Sequence, residues 1–572
     1  MWKLYALFWI ILFVVFGLVQ DAGYVTDYLG WQARVQEGGL QGALHTYDYP
    51  AQLQGYALLM WLIEQLRGVS TWLVHAFNVS LFAGGATLLF ELVQKVLHDH
   101  NNPNSTLAAG LAAMLYVFSP TNTEIMIWRV CPHYFVSILV WLGTLLLLRS
   151  YVREGSKKHL ASAMALQTVG LFCLELAYAL PIAVFGWVAY YYFFLRSGST
   201  RRAALAFGSS VALVALHLML TKLVQGAWIG HYGADVATSQ PLSEIIAAPW
   251  RWISRAGLQY RFWATPWKKW LTAALGNPVV SLALYGFVAL LTGRAIQLWL
   301  RFRKTRQTPP AWTPLLLWVF LAGAGTAAVS QLYYFDQFIV DTDRFGALAV
   351  VFTTALIATG LSLIRKRALL TALAIPIILV NSLIFAKNLY TWTSSQAVLT
   401  GLSSSFSKIL KEADLQKETP TTVYLLGYAR TFNGVHLLGD NREGQSALAG
   451  HLASSVSGND QLSQDQISFV DIAQFHQLSV TDSIKPRWEN GKLIVVLDAP
   501  GSWLMYKDLG VKNRRDEDNQ LDVHVGKWSI QVTWDSPPPA NTIFLYQASD
   551  HFVRLPYPVA EKSPRPDPTV IQ

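Results

Sequence analysis

Charged side chains are scarce in this chain and fall in groups. Asp21, Asp27 and Asp48 come first, Glu124, Arg129 and His133 follow, Glu175 stands by itself, and Asp336, Asp341, Asp343 and Arg344 close the series. Carboxylates in such company abstract a proton or hold a divalent cation such as Mg or Mn, and arginines grip phosphate through paired N–H donors. Converging on one cavity, the set would suit group transfer from a lipid phosphate, with the metal itself undetermined. The D-x-D of Asp341 and Asp343 is too short to imply a metal, and most such pairs are solvated. No G-x-x-x-x-G-K-[ST], H-E-x-x-H, G-x-S-x-G or G-x-G-x-x-G occurs, which removes the support for an ATP-driven pump and a zinc protease.

The elements that must position these groups follow from composition. The chain has 572 residues, 53% apolar and only 14% charged, with a mean hydropathy of +0.31. Soluble domains carry about 25% charge, so this is a membrane chain. Its net charge of +9 gathers in short clusters at Arg149, Arg153, Lys157 and Lys158, at Arg196, Arg201 and Arg202, at Arg301, Arg303, Lys304 and Arg306, and at Arg365, Lys366 and Arg367. They sit beside apolar segments rather than on a stripe with interleaved aromatics, so nucleic acid is not an expected partner; short basic loops mark the cytoplasmic side.

That assignment gives eleven spans: Leu4–Val19, Trp72–Leu97, Thr106–Phe118, His133–Leu148, Leu160–Leu174, Leu176–Leu195, Ala203–Leu223, Val279–Leu300, Trp312–Gln331, Gly346–Leu363 and Leu369–Phe385. The amino end lies inside and the carboxyl end outside. Gln54–Leu66 is too short to cross and reads as a helix lying on the outer surface. The first segment reads as an uncleaved anchor rather than a signal peptide. An outer loop over 224–276 carries Trp250, Trp252, Trp263, Trp267 and Trp270 among basic residues, the pattern of an interfacial segment.

Residues 1–389 thus form a mainly α polytopic membrane domain, and 390–572 a soluble, β-rich extracytoplasmic domain. TTVYLLG, GKLIVVLDA, GKWSIQVTW and NTIFLYQA read as strands between Gly, Asn, Asp and Pro turns, with a disordered end. No N-x-S/T acceptor occurs after residue 390, which favours a bacterial inner membrane. Cys131 and Cys173 are too few for a disulfide framework or a thiolate metal site.

Particular blocks add a resemblance. Tyr49-Pro50, ALLMWLIEQLRG and the following long span, then Pro120, Thr123, Glu124, Trp128 and Arg129, then LELAYALPIAVF with Glu175, and DTDRFGALA with Arg344, resemble the multispanning GT-C glycosyltransferases. The branch is that of the protein O-mannosyltransferases and their tetratricopeptide-bearing relatives. The likeness covers roughly residues 1–390. Paired acids of the first loop are replaced by Thr26-Asp27, the Arg before the Pro by Tyr49, the acid two residues after Arg129 by Cys131, and the Lys before Glu175 by Leu174. No 34-residue helical repeat occurs in the tail.

The resemblance implies transfer of a sugar from a polyprenyl-phosphate donor to a protein or glycan acceptor at the outer face. Asp27 would be the general base, with Asp21 as the other candidate. Glu124 would support a metal or orient the acceptor, Arg129 and Arg344 would neutralise the departing lipid phosphate, and Asp48, His133 and Glu175 would complete the substrate site. Two other classes compete: a transporter or flippase of lipid-linked saccharides, which needs polar residues near mid-span, and a non-catalytic envelope scaffold.

Overall fold

The computed structural model describes the chain except residues 25–26, 46–53, 196–198, 227, 229–241, 260–264, 304–309, 328–339, 413–420, 434, 438–466, 490, 499–501, 504–513, 526–528, 539–540 and 558–572. The helices are α1 (Trp2–Phe16), α2 (Asp27–Leu44), α3 (Gln54–Val69), α4 (Thr71–Asp99), α5 (Ser105–Val117), α6 (Asn122–Ile127), α7 (Pro132–Glu154), α8 (Lys157–Leu171), α9 (Leu180–Phe193), α10 (Thr200–Gln225), α11 (Leu242–Leu258), α12 (Thr265–Gly276), α13 (Pro278–Arg303), α14 (Thr313–Ala327), α15 (Ala347–Ser362) and α16 (Arg367–Glu412). Short 3-10 turns at Gly17–Val19, Glu175–Ala179 and Val340–Gly346 extend α1, α9 and α15.

Local chemistry sets several boundaries. The Ser70 hydroxyl accepts from the Trp72 N–H at 3.2 Å and caps α4. Pro132 opens α7, where its missing N–H costs nothing, and Gly155 ends it at φ +78°. Gly226 closes α10 the same way, at φ +74°.

Among the described residues, eight helices are long and apolar enough to cross a membrane: Trp2–Val19, Thr71–Asp99, Pro132–Glu154, Glu175–Phe193, Thr200–Gln225, Pro278–Leu298, Asp343–Ser362 and Arg367–Glu412. Ser105–Val117 and Thr313–Ala327 are shorter apolar helices, and α8, expected as a span, has 15 residues. Helices α4, α5, α7 and α15 bury most of their surface, with Phe82, Ala86, Leu115, Phe135, Leu142 and Phe352 inaccessible or nearly so. Helices α10 and α13 and the first half of α16 instead expose apolar side chains, Leu223 at 81% and Leu290 at 75% among them. Apolar surface on this scale is tolerated against lipid or another protein, not water.

The connections gather at two opposite ends. At one, Asp99 at the end of α4 meets Arg149 and Arg153 of α7, and Arg202 of α10 donates to the Val152 carbonyl. The Asn104 amide there donates to Ile364 O at 2.9 Å, and Arg367 to Pro103 O at 3.4 Å. At the other, Arg129 reaches the carbonyls that end α1, Gly55 N–H donates to Phe172 O at 2.9 Å, and the Asn388 amide donates to Pro120 O at 3.1 Å. Arg149, Arg153, Arg202 and Arg367, from three of the expected inner loops, therefore share one end, and the contacts of Arg129, Gly55 and Asn388 lie at the other.

Two elements read as surface segments are built in more firmly. Helix α3 buries Tyr56, Ala57, Met60 and Ile63 along one face, with Glu64 and Arg67 paired at 3.2 Å. Helix α11 buries Trp252 and Arg255, while Trp267 and Trp270 on α12 are exposed as an interfacial segment requires. Trp263 lies outside the described residues, as does the carboxyl-terminal end from 558.

The chain divides into two compact units, Met1–Tyr24 with Trp31–Tyr390, and Val25–Gly30 with Thr391–Gln572. In the second, Val398, Leu402, Phe406 and Leu410 of α16 recur every four residues and are buried. Phe406 meets Phe469 with ring centroids 5.9 Å apart, and the Ser405 hydroxyl accepts from the Phe552 N–H at 2.8 Å.

The strands are β1 (Thr421–Phe432), β2 (Val435–His436), β3 (Ile467–Asp471), β4 (Gln474–Gln477), β5 (Ser483–Glu489), β6 (Lys492–Asp498), β7 (Ser502–Trp503), β8 (Arg514–Asp516), β9 (Leu521–Val525), β10 (Ser529–Trp534), β11 (Thr542–Ala548) and β12 (His551–Leu555). They order as β7-β4-β1-β11-β5-β6-β10-β9-β8. Strand β1, buried along nearly its whole length, pairs in parallel with β3, β4 and β11; continuous apolar sequence is what a strand covered on both faces requires. The rest is antiparallel, with Glu489 paired opposite Lys492 and Gly491 at φ +75°.

Candidate functional site

Glu124 sits in the middle of α6, a single helical turn and a half buried throughout. Pro120 starts this segment: its carbonyl accepts from the Thr123 hydroxyl at 2.6 Å and from the Asn388 amide at 3.1 Å. The Glu124 side chain is inaccessible to solvent. Its carboxylate is gripped by Arg344, which donates from its backbone N–H to Oε2 at 2.8 Å and from Nη1 to Oε1 at 2.5 Å. The Arg344 guanidinium also lies over the Trp128 ring at 4.6 Å and the Phe345 ring at 4.4 Å. Its side chain keeps 19% of its surface exposed, so the cation is rigidly held yet reachable. Cation–π contact and a charge-assisted hydrogen bond both strengthen where water is excluded.

The neighbouring residue extends the network in the other direction. Asp343, 1% exposed, pairs with Arg255 of α11, 2% exposed, and the Arg255 guanidinium stands 5.5 Å from the Trp252 ring centroid. Asp343 was expected to be solvated; burial with Arg255 corrects that reading, because a carboxylate out of water requires a partner. A Cβ on Gly346 would meet Trp252 Cε3 at 2.7 Å, so glycine there lets α11 close against the 3-10 turn. Arg255 and Trp252 are the participants sequence reasoning missed as site residues. Their spacing of three along one helix was visible, but their partner lies 88 residues away.

Arg129 is buried and acts as a clasp. Its Nε donates to Ala22 O at 3.1 Å, Nη2 to Val19 O at 3.2 Å and Gln20 O at 2.7 Å, and Nη1 to Met126 O at 3.3 Å. Gly23, at φ +83°, lies so close to Ile127 O that a side chain there would overlap it, and its own carbonyl accepts from Arg129 N–H at 3.0 Å. Burial raises the Tyr24 hydroxyl above its ordinary pKa, opposed by the charges of Arg129 and Arg67.

Asp21, His133 and Glu175 belong to the same compact unit as Glu124 and Arg344. Asp21 accepts from the Thr71 hydroxyl at 2.8 Å and is exposed. His133, in the first turn of α7, packs its ring 4.2 Å from Tyr56 and 4.6 Å from Tyr134, and the Tyr56 hydroxyl donates to Val130 O at 3.1 Å. Glu175 opens its 3-10 turn and is buried. Asp27 is the first residue of α2; its side chain and that of Asp341 lie outside the described residues, as do Asp48 and Asp336. Cys131 and Cys173 are buried free thiols.

Among the described residues no three His, Cys, Asp or Glu side chains converge as a metal site. Glu124 does not suit a divalent cation, since Arg344 engages both carboxylate oxygens, its guanidinium at Oε1 and its backbone N–H at Oε2, and the guanidinium would repel one. No protein-family model matches this chain, and neither do curated proteins or solved structures.

Proposed function

We propose that the chain is a GT-C-like membrane glycosyltransferase that moves a sugar from a polyprenyl-phosphate donor to a protein or glycan acceptor at the outer face of a bacterial inner membrane. The observation that carries this reading is Arg344: clamped by buried Glu124, stacked on Trp128 and Phe345, and still partly exposed at the loop-rich end of an apolar bundle. A fixed cation in that position suits the negative charge that builds on a phosphate leaving group as the bond to the sugar breaks. The basic loops gathered at the opposite end support an orientation with eleven spans, amino end in, and the β-rich unit outside. That unit would then receive the acceptor.

In the proposed reaction Asp27 takes the proton from the acceptor hydroxyl as its oxygen attacks the anomeric carbon. The carbon–oxygen bond to the phosphate breaks with inversion, and Arg344 bears the resulting phosphate charge. Arg129 fixes the loop that follows α1 rather than touching the donor. Glu124 orients Arg344.

The test is release of sugar from radiolabelled polyprenyl-phosphate donors by the purified protein. Asp27→Asn should lower kcat by roughly 10²–10⁴, the share of a general base. Arg344→Gln should lower it by about 10²–10³, the share of one charge-stabilising donor. A wild type that consumes no such donor across a panel of sugars and chain lengths overturns the function. Normal turnover by Asp27→Asn removes the base assignment alone.

A further inference from the structure

Phosphate-binding chemistry recurs at the opposite end of the bundle. The α7–α8 hairpin turns at Gly155, and around it stand Arg149, Arg153, Lys157 and Lys158, joined by Arg201 and Arg202 from the start of α10. Among the described residues, the carboxylates that stand with these basic residues are Asp99 and Glu154; Glu154 is exposed and lies 3.8 Å from His159.

Asp99 is nearly buried and fully engaged. Arg149 donates to it from Nε at 2.9 Å and Nη2 at 2.7 Å, Tyr191 from its hydroxyl at 3.1 Å, and Arg153 from Nη1. Arg202 Nη1 donates to the carbonyls of Val152 at 3.2 Å and Arg153 at 3.1 Å, ending α7. Its guanidinium lies against Gly155, where a Cβ would come within 2.6 Å of Cζ. The turn is therefore locked, and Arg153, fixed at one nitrogen by Asp99, leaves 42% of its side chain exposed.

We propose that this turn binds the phosphate of an anionic membrane phospholipid, with Arg153 as the principal contact and Lys157 and Lys158 at the rim. The excess of positive charge selects an anion, and a preoriented guanidinium selects phosphate over a zwitterionic headgroup whose own cation would be repelled. The source is lipid rather than free phosphate because α10, which supplies Arg201 and Arg202, exposes Leu205, Val211 and Leu216 beyond them, a surface on which acyl chains lie. The site depends on the membrane-spanning architecture and not on sugar transfer, so the two readings fail separately.

The test is thermal unfolding of the full-length, detergent-purified protein titrated with short-chain phosphatidylglycerol, short-chain phosphatidylcholine or inorganic phosphate. Phosphatidylglycerol should raise the midpoint and the other two should not. Arg153→Gln should weaken its apparent affinity about tenfold, the size of one charge-assisted hydrogen bond, while Arg365→Gln, an equal loss of charge on another exposed residue at the same end, leaves it unchanged. Should Arg153→Gln fail to fold, the double variant Lys157→Gln/Lys158→Gln, exposed and outside the Asp99 network, must still lower the affinity. Equal stabilisation by phosphatidylcholine or by inorganic phosphate, an undiminished effect in the variants that fold, or an equal loss in Arg365→Gln overturns the site.

Discussion

Glu124 and Arg344 form an ion pair whose members differ in their access to water, and that difference sets the response to mutation. Arg344→Gln leaves a carboxylate with no exposure beside a neutral amide, and breaking a buried pair from that side costs about 3–5 kcal/mol. Glu124→Gln leaves a guanidinium that can turn towards solvent, so thermal unfolding should show the smaller loss for Glu124→Gln. Equal losses would mean that the difference in exposure does not set the response. Arg129→Lys should also destabilise, by about 2–3 kcal/mol, because an ammonium cannot reach the carbonyls of Val19, Gln20, Ala22 and Met126 together; faster proteolysis after α1 would report it. Residue types told part of this in advance. Glu124 and Arg344 were legible as charged groups beside apolar spans, but the pairing joins positions 220 apart in sequence, and only packing selects among such pairs. Arg129 illustrates the limit: its type suited phosphate, whereas the carbonyls around it decide that it holds backbone.

Helices declared themselves through apolar length and punctuation, Ser70, Pro132, Gly155 and Gly226 all standing where chain direction changes. What composition could not convey is which apolar face meets protein and which meets lipid, because Leu serves both. Helix α11 shows this, since its Trp and Arg residues fit a membrane surface equally well until Trp252 and Arg255 are seen packed inside. Close helix contacts make two further tests. Gly346→Ala should force Trp252 aside and cost about 1–3 kcal/mol, as overpacking does, with a parallel fall in sugar transfer. Gly401→Ala on α16 meets the Asp550 carbonyl, which no side-chain rearrangement relieves; it should destabilise the β-rich unit by a comparable amount and show in unfolding followed by near-ultraviolet dichroism. The principal strands were legible from alternation and turn residues, but the parallel pairing of β1 with β3, β4 and β11 was not, since parallel neighbours lie far apart in sequence.

At the scale of the molecule, the clustering of basic loops at one end makes sidedness measurable. Cys131 and Cys173 are buried, so single cysteines introduced at Lys158 and Thr481 supply the accessible thiols. With intact cells, a membrane-impermeant maleimide should label the Thr481 position and spare Lys158; the reverse pattern would invert the proposed orientation. The long reach of the Arg129 clasp carries a consequence for biogenesis. The carbonyls it satisfies lie 107 to 110 residues earlier, so α1 leaves the ribosome long before its cap exists, and the loop behind it cannot settle until α6 has been translated. Glu124 then waits 220 residues more for Arg344. Nascent chains arrested short of residue 129 should therefore remain open to protease just after α1, and those arrested between 129 and 344 should close that site while leaving the segment around Glu124 cleavable.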